Sequence, residues 1–77
     1  MVKRMIMENL PSDQRHVDLD LTVTNVFHDL KSVGRGVELR HIFAAFKELN
    51  DTQDLVIFSN GTVAATRKGL RSYELGD

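Results

Sequence analysis

Histidines and clustered carboxylates are the first side chains in this sequence that could form a reactive site. His16, His28 and His41 are too far apart in the chain to give the His-x-x-x-His pattern of ligands on one helix. A zinc centre needs at least three convergent protein ligands. Asp18 and Asp20 lie in a polar stretch, where carboxylates are more typical of helix caps than of an acid–base pair held in a pocket. We therefore predict no metal, no cofactor and no catalytic residue.

A glycine-rich turn and the cysteine count lead to the same conclusion. Gly34-Arg35-Gly36 lacks the lysine, the full glycine pattern and the preceding strand of a phosphate-binding loop, so it is interpreted as a turn. The chain contains no cysteine, which excludes disulfide scaffolds, thiolate metal sites and cysteine nucleophiles. A core built from 77 residues also leaves little room for a ligand pocket of ~300 Å³ or more. We predict that the protein is not an enzyme.

Basic side chains give the strongest functional signal. Arg67, Lys68 and Arg71 follow a predicted hairpin, and Arg35 and Arg40 lie at the start of a predicted helix. Ten basic residues face eleven acidic ones, for a net charge of -1. This balance excludes a uniformly basic nucleic-acid coat but allows a local basic face. From the residues alone, contact with DNA and a plainly solvated surface remain equally open.

Length and composition indicate one small globular domain spanning residues 1–77. The chain is 42% apolar and 27% charged, as in ordinary globular proteins. No apolar run approaches the ~20 residues of a membrane span, and the first residues lack the apolar region and cleavage site of a secretory signal. We expect no membrane partner and a cytoplasmic location.

Residues 1–20 are expected to form an N-terminal arm or helix. Val2, Met5, Ile6 and Leu10 share one face of a helix, although the Met-Ile-Met run is equally compatible with a strand. A domain this small gains stability from association, so residues 1–10, with apolar Met1, Met5 and Ile6, are the candidate homodimer surface. The stretch 12–20 is polar and turn-like, and Asp18 or Asp20 is expected to cap the next helix.

Residues 21–51 carry two apolar stripes of helical period joined by a short turn. Each stripe has the spacing 0, 3, 4, 7 and 10, which predicts two amphipathic helices that pack on each other. Gly34 is expected to end the first helix in the left-handed conformation. The members of the stripes are Val23, Val26, Phe27, Leu30 and Val33, then Leu39, Ile42, Phe43, Phe46 and Leu49. All four phenylalanines, including Phe58, are assigned to the core.

Residues 54–67 change to a period of two and predict a β-hairpin. Asn60-Gly61 separates two apolar runs, which is typical of a two-residue type I′ turn. That turn pairs Phe58 with Val63 and Val56 with Ala65. Residues 68–77 form a tail or short helix, in which Leu70, Tyr73 or Leu75 packs on the core.

This order, mainly α with a small antiparallel β-hairpin (α+β), resembles the winged helix-turn-helix family of DNA-binding domains. The resemblance covers roughly Leu21 to Leu70. Within it, Val37–Leu49 is similar to the family's recognition helix, and Leu55–Gly69 is similar to its wing.

The resemblance implies a small DNA-binding transcription regulator, acting as a homodimer on double-stranded DNA. Helix 37–50 would read the major groove and the wing would contact the DNA backbone. Arginine commonly reads guanine through a bidentate contact, which suits Arg40, whereas Arg35 and Lys47 suit phosphate. The full set of implied DNA-binding residues is Arg35, Glu38, Arg40, His41, Ala44, Lys47, Asn60, Thr62, Arg67, Lys68 and Arg71. Ala45 is likewise expected off the apolar stripe.

The near-neutral charge keeps a second function open. A winged helix can use the same helix face for another protein, as a subunit or inhibitor of a larger complex that does not bind DNA.

Overall fold

The computed structural model describes residues 1–75, which form four helices and three strands. The elements are α1 (Val2–Glu8), β1 (Val17–Asp18), α2 (Leu19–Ser32), α3 (Leu39–Asp51), β2 (Leu55–Ile57), β3 (Thr62–Ala65) and α4 (Arg67–Ser72). The three strands form one antiparallel sheet in the order β1-β3-β2. This mainly helical α+β arrangement has a winged-helix-like layout and confirms the predicted fold class. Positions 76–77 of the predicted tail lie outside the described residues.

The first segment is a helix, not a strand. Ile6 and Met7 are completely buried, and α1 packs against both α2 and α3. The apolar side of α1 therefore completes the core of its own chain. Ile6 is not available to a second copy, so the predicted homodimer surface at residues 1–10 is reduced to the exposed Met1 and the partly buried Val2 and Met5.

Local side-chain and backbone bonds set both ends of α2. The Asp18 carboxylate accepts a hydrogen bond from the Leu21 N–H at 2.8 Å, which confirms Asp18 as the cap and leaves Asp20 in the first turn. At the other end Gly34 has a φ of 73°, and the Arg35 N–H donates to the Leu30 carbonyl at 2.8 Å. This is the glycine-terminated helix end that the sequence predicted.

Helix α3 begins two residues later than predicted, and its buried face is rotated. Ala45 is buried together with Phe46, although the sequence analysis placed Ala45 off the apolar stripe. Leu39 and Phe43, predicted as core, are 47% and 48% exposed. The neighbours α1, α2 and β2 pack around the Ala45–Phe46 side and cover less than the full apolar stripe.

The four phenylalanines were all predicted to be core, which is correct only for Phe46. Phe27 is partly buried against the core, and Phe43 is exposed. Phe58 is also partly buried, and its ring stacks on that of His16 with 4.2 Å between centroids.

The hairpin exists as predicted, but its register is shifted by one residue. Leu55 pairs with Ala65 and Ile57 with Val63, so the loop has three residues, 59–61, instead of two. The Gly61 N–H donates to the Phe58 carbonyl at 3.1 Å, and Gly61 has a φ of 84°. One left-handed residue after an ordinary turn is the usual three-residue hairpin, so the type I′ prediction is wrong.

Strand β1 was not predicted, because the stretch 12–20 is polar. Val17 pairs with Val63, which makes β3 the central strand. At the outer edge of β2, the Asn50 side chain of α3 accepts a hydrogen bond from the Ile57 N–H at 3.0 Å. An exposed edge N–H would otherwise be available for pairing with another chain.

The C-terminal segment packs on the core, as predicted, and forms a helix. Thr66 caps α4 by accepting a hydrogen bond from the Gly69 N–H at 3.0 Å. Arg67, Lys68 and Gly69 therefore form the first turn of this helix. Leu70 is buried, and Tyr73 and Leu75 pack beside it. Within residues 1–75 no helix is long and apolar enough to cross a membrane.

Candidate nucleic-acid interface

The outer face of α3, defined as Arg40, Phe43, Ala44, Lys47 and Asp51, is the surface opposite the core. All five side chains are exposed, and the helical period places them on one side because each member has another member three or four residues away. The structure thus brings three of the predicted DNA-binding residues together, namely Arg40, Ala44 and Lys47.

Both cations of this face are in ion pairs with neighbours on the chain. Arg40 contacts Glu38 at 3.1 Å, and Lys47 contacts Asp51 at 3.4 Å. Every member of these pairs is more than half exposed. Exposed ion pairs contribute only ~0–1 kcal/mol, so either cation can turn toward a phosphate at little cost.

The local charge of this helix is close to neutral. Residues 38–51 carry two cations, Arg40 and Lys47, and three carboxylates, Glu38, Glu48 and Asp51. Glu48 is turned toward α1, where it contacts Lys3 at 3.2 Å. A surface with this balance attracts phosphate through individual side chains and not through a general positive potential.

Glu38 and His41 lie on a different side of the helix entrance from Arg40. Together with residues of α2 they line a cavity of about 440 Å³ between the two helices. The cavity is lined by Phe27, Lys31, Gly36, Val37, Glu38 and His41. Arg35 precedes it in the turn, and its side chain makes no ion pair within residues 1–75.

The tip of the predicted wing is short and fastened to the body of the domain. The Asn60 side-chain oxygen accepts two hydrogen bonds from Thr62, one from the backbone N–H at 3.2 Å and one from the side-chain hydroxyl at 2.6 Å. The Gly61 carbonyl accepts a hydrogen bond from the Leu19 N–H at 2.9 Å. Asn60 and Thr62 are therefore positioned at the start of α2 and not on a freely projecting loop.

Lys68 does not lie on the wing. Its ammonium donates to the Thr52 carbonyl at 2.6 Å and to the Asp54 carboxylate at 3.2 Å, and the Asp54 side chain is 11% exposed. These bonds attach the start of α4 to the residues that follow α3. The structure places Lys68 on α4 and not on the hairpin, and its side chain is engaged by residues that precede it by 14 and 16 positions. Its contact with DNA stays a prediction.

Arg67 and Arg71 are also remote from the wing tip. They follow Ala65, the end of β3 farthest from the Asn60–Gly61 turn, and line a cavity with Ser12 and Gln14. Lys68 contacts the C-terminal end of α3, about 18 Å along the helix from Arg40 at 1.5 Å per residue. The eleven predicted residues thus fall into separate places: the outer face of α3, the helix entrance, the wing tip and α4.

The exposure of Leu39 and Phe43 is not predictable from the sequence pattern. Their apolar character and spacing assigned them to the core, and no local signal distinguishes an uncovered edge of an apolar stripe from a buried one. Residues 1–75 contain no group of three or more histidines and carboxylates placed to hold a metal ion.

Comparisons of the chain with models of known protein families, with curated proteins and with solved structures found no match.

Proposed function

We propose that this chain is a small DNA-binding regulator whose α3 enters the major groove of duplex DNA. One observation supports the proposal above the others: the outer face of α3 is uncovered, and its two cations are held only by weak, exposed ion pairs. The major groove is ~12 Å wide and admits one α-helix. Such an activity belongs beside the chromosome, in the cytoplasm.

Four of the five side chains of the outer face have a contact that suits their chemistry, and the fifth, Asp51, is the ion-pair partner of Lys47. Arg40 reads guanine through two hydrogen bonds, and Phe43 with Ala44 lies against thymine methyl groups. Lys47 contacts phosphate, as does Arg35 from the turn. Asn60 and Thr62 lie beside the start of α2 and meet the backbone on the other side of the groove.

The neutral surface implies weak binding by one copy. When only a few phosphates are neutralised, the affinity falls only slightly as the salt concentration rises. Each neutralised phosphate adds ~0.9 to the steepness of the plot of log binding constant against log salt concentration. A homodimer would present two helices to adjacent turns of DNA and raise the affinity. With Ile6 buried, such a dimer uses a surface other than the apolar side of α1.

The experiment is a fluorescence-anisotropy titration of a labelled random-sequence duplex at 50 mM and 150 mM salt. We expect saturable binding in the range of ~10⁻⁴–10⁻⁶ M, with a salt dependence. Arg40→Gln and Lys47→Gln should each weaken it about 3–10-fold.

Arg4→Gln is the matched control, since Arg4 forms a comparable exposed ion pair with Glu8 at 3.3 Å but lies on α1. Absence of binding at 100 µM, or equal weakening by all three substitutions, contradicts the proposal.

A second candidate is a protein-interaction module that does not bind DNA. The observation that favours it is the pair Leu39 and Phe43, half-exposed one helical turn apart, on a helix without net positive charge. Exposed apolar groups on such a face are typical of protein contacts. Recovery of one stoichiometric protein partner, resistant to nuclease and lost in Phe43→Ser, would support it over DNA binding.

A further inference from the structure

A concave surface of the described chain lies away from α3, between α4 and the loop that follows α1. It has a volume of about 580 Å³ and is lined by Ser12, Gln14, Arg67, Leu70, Arg71, Glu74 and Leu75. This volume is within the ~300–1,000 Å³ range of small-ligand sites. Neither the hairpin nor the outer face of α3 contributes to it.

Two arginines dominate the polar part of this cavity. Arg67 and Arg71 are four residues apart on α4, so their side chains share one face of the helix. Neither forms an ion pair with a carboxylate of residues 1–75, although Glu74 also lines the cavity. Two guanidinium groups directed to one cavity match the geometry of a phosphate or carboxylate group.

The cavity also has an apolar side. Leu70 and Leu75 line it, and with Ser12 they also line a neighbouring cavity of about 250 Å³ that extends to Met7 and Leu10. An occupant can therefore place an anionic group at the arginines and an apolar group over Leu70 and Leu75.

We propose that this cavity binds a small organic anion, in which a phosphate or carboxylate group contacts Arg67 and Arg71 and a compact apolar group contacts Leu70 and Leu75. The Ser12 hydroxyl and the Gln14 amide supply neutral hydrogen-bond donors beside the arginines. The site is independent of DNA binding by α3. It gives Arg67 and Arg71 a role that does not depend on the hairpin.

The test is a titration of the full chain with phenyl phosphate as the probe. Binding is measured by NMR, through the chemical-shift changes of the backbone amides of residues 12–14 and 67–75. We expect saturable shifts with a dissociation constant below ~1 mM. Inorganic phosphate, which lacks the apolar group, should bind about 10-fold more weakly.

Arg67→Gln and Arg71→Gln should each weaken phenyl phosphate about 10-fold. Arg4→Gln is the matched control, because Arg4 is an exposed arginine of α1 that does not line this cavity. Shifts that do not saturate by 10 mM, or equal weakening by Arg4→Gln, overturn the proposal.

A second measurement separates a free small molecule from the phosphate of a DNA backbone. If the site serves a small molecule, Arg67→Gln and Arg71→Gln leave duplex affinity unchanged, and duplex does not displace phenyl phosphate. If duplex displaces the probe and both variants lose duplex affinity, the arginines bind DNA backbone and the small-molecule site is refuted.

Discussion

Gly69 of α4 lies directly against the backbone carbonyl of Asp54, and a Cβ at this position would overlap that oxygen. The same carbonyl accepts a hydrogen bond from the Thr66 N–H at 3.1 Å, so it is held from both sides. This contact fixes α4 against the end of α3 and, with it, the position of Arg67 and Arg71.

Gly69→Ala is therefore expected to destabilise the fold. In an open helix the change would add ~1 kcal/mol of stability, but overlap with backbone should cost about 2–3 kcal/mol here. Chemical denaturation measures the difference. The control is Gly36→Ala, where the nearest atom lies at 3.9 Å from the added Cβ; similar losses at both positions would show that close packing is not the cause.

The two phenylalanines of α3 should differ sharply in their effect on stability. Phe46 is 1% exposed, so Phe46→Ala should lower the free energy of unfolding by about 3–5 kcal/mol. Phe43 is half-exposed, and Phe43→Ala should cost less than about 1 kcal/mol. Thermal and urea unfolding of both variants provide the comparison, and a large loss from Phe43→Ala would mean that its ring is covered in solution.

Gln53 follows the end of α3 in the left-handed conformation, with a φ of 65°. The Asp54 N–H donates to the Leu49 carbonyl at 2.9 Å, which is the bond of a helix end that normally carries glycine. Gln53→Gly should raise stability by about 0.5–1 kcal/mol, because relief of backbone strain exceeds the added entropy of the unfolded chain. Gln53→Ala keeps the strain, and a gain from it as large as that from glycine would argue against this explanation.

Glu38→Gln should tighten duplex DNA binding. The Glu38 carboxylate holds Arg40 at 3.1 Å and repels phosphate, so its neutralisation both releases a cation and removes a negative charge. We expect affinity to rise about 2–5-fold at low salt. Glu8→Gln releases Arg4 in the same way on α1 and should change nothing; a decrease with Glu38→Gln would indicate that the paired arrangement is the one that binds.

Local sequence determined helix α2 and both of its ends. The spacing of Val23, Val26 and Leu30 indicated α2, and the Asp18 and Gly34 ends act through bonds within five residues. Interactions of this range depend on neighbouring residues alone, which is why they can be predicted without knowing the rest of the fold.

The hairpin shows how far local signals reach. Asn60-Gly61 correctly located the reversal of the chain, but both two-residue and three-residue loops accommodate that dipeptide. In the observed register, β3 also pairs with β1, and the Leu19 N–H donates a hydrogen bond to the Gly61 carbonyl. These partners lie more than 40 residues away, and a two-residue strand within a mostly polar stretch gives no signal of its own.

The two candidate binding surfaces were decided by tertiary structure. Residue types predicted cations near α3 and after the hairpin, but only packing shows that Lys68 is engaged by Thr52 and Asp54, that Phe43 is uncovered and that Arg67 and Arg71 face a separate cavity. Periodicity orders side chains around one helix axis. It cannot specify which part of that circumference its neighbours will cover, since this depends on how distant segments pack together.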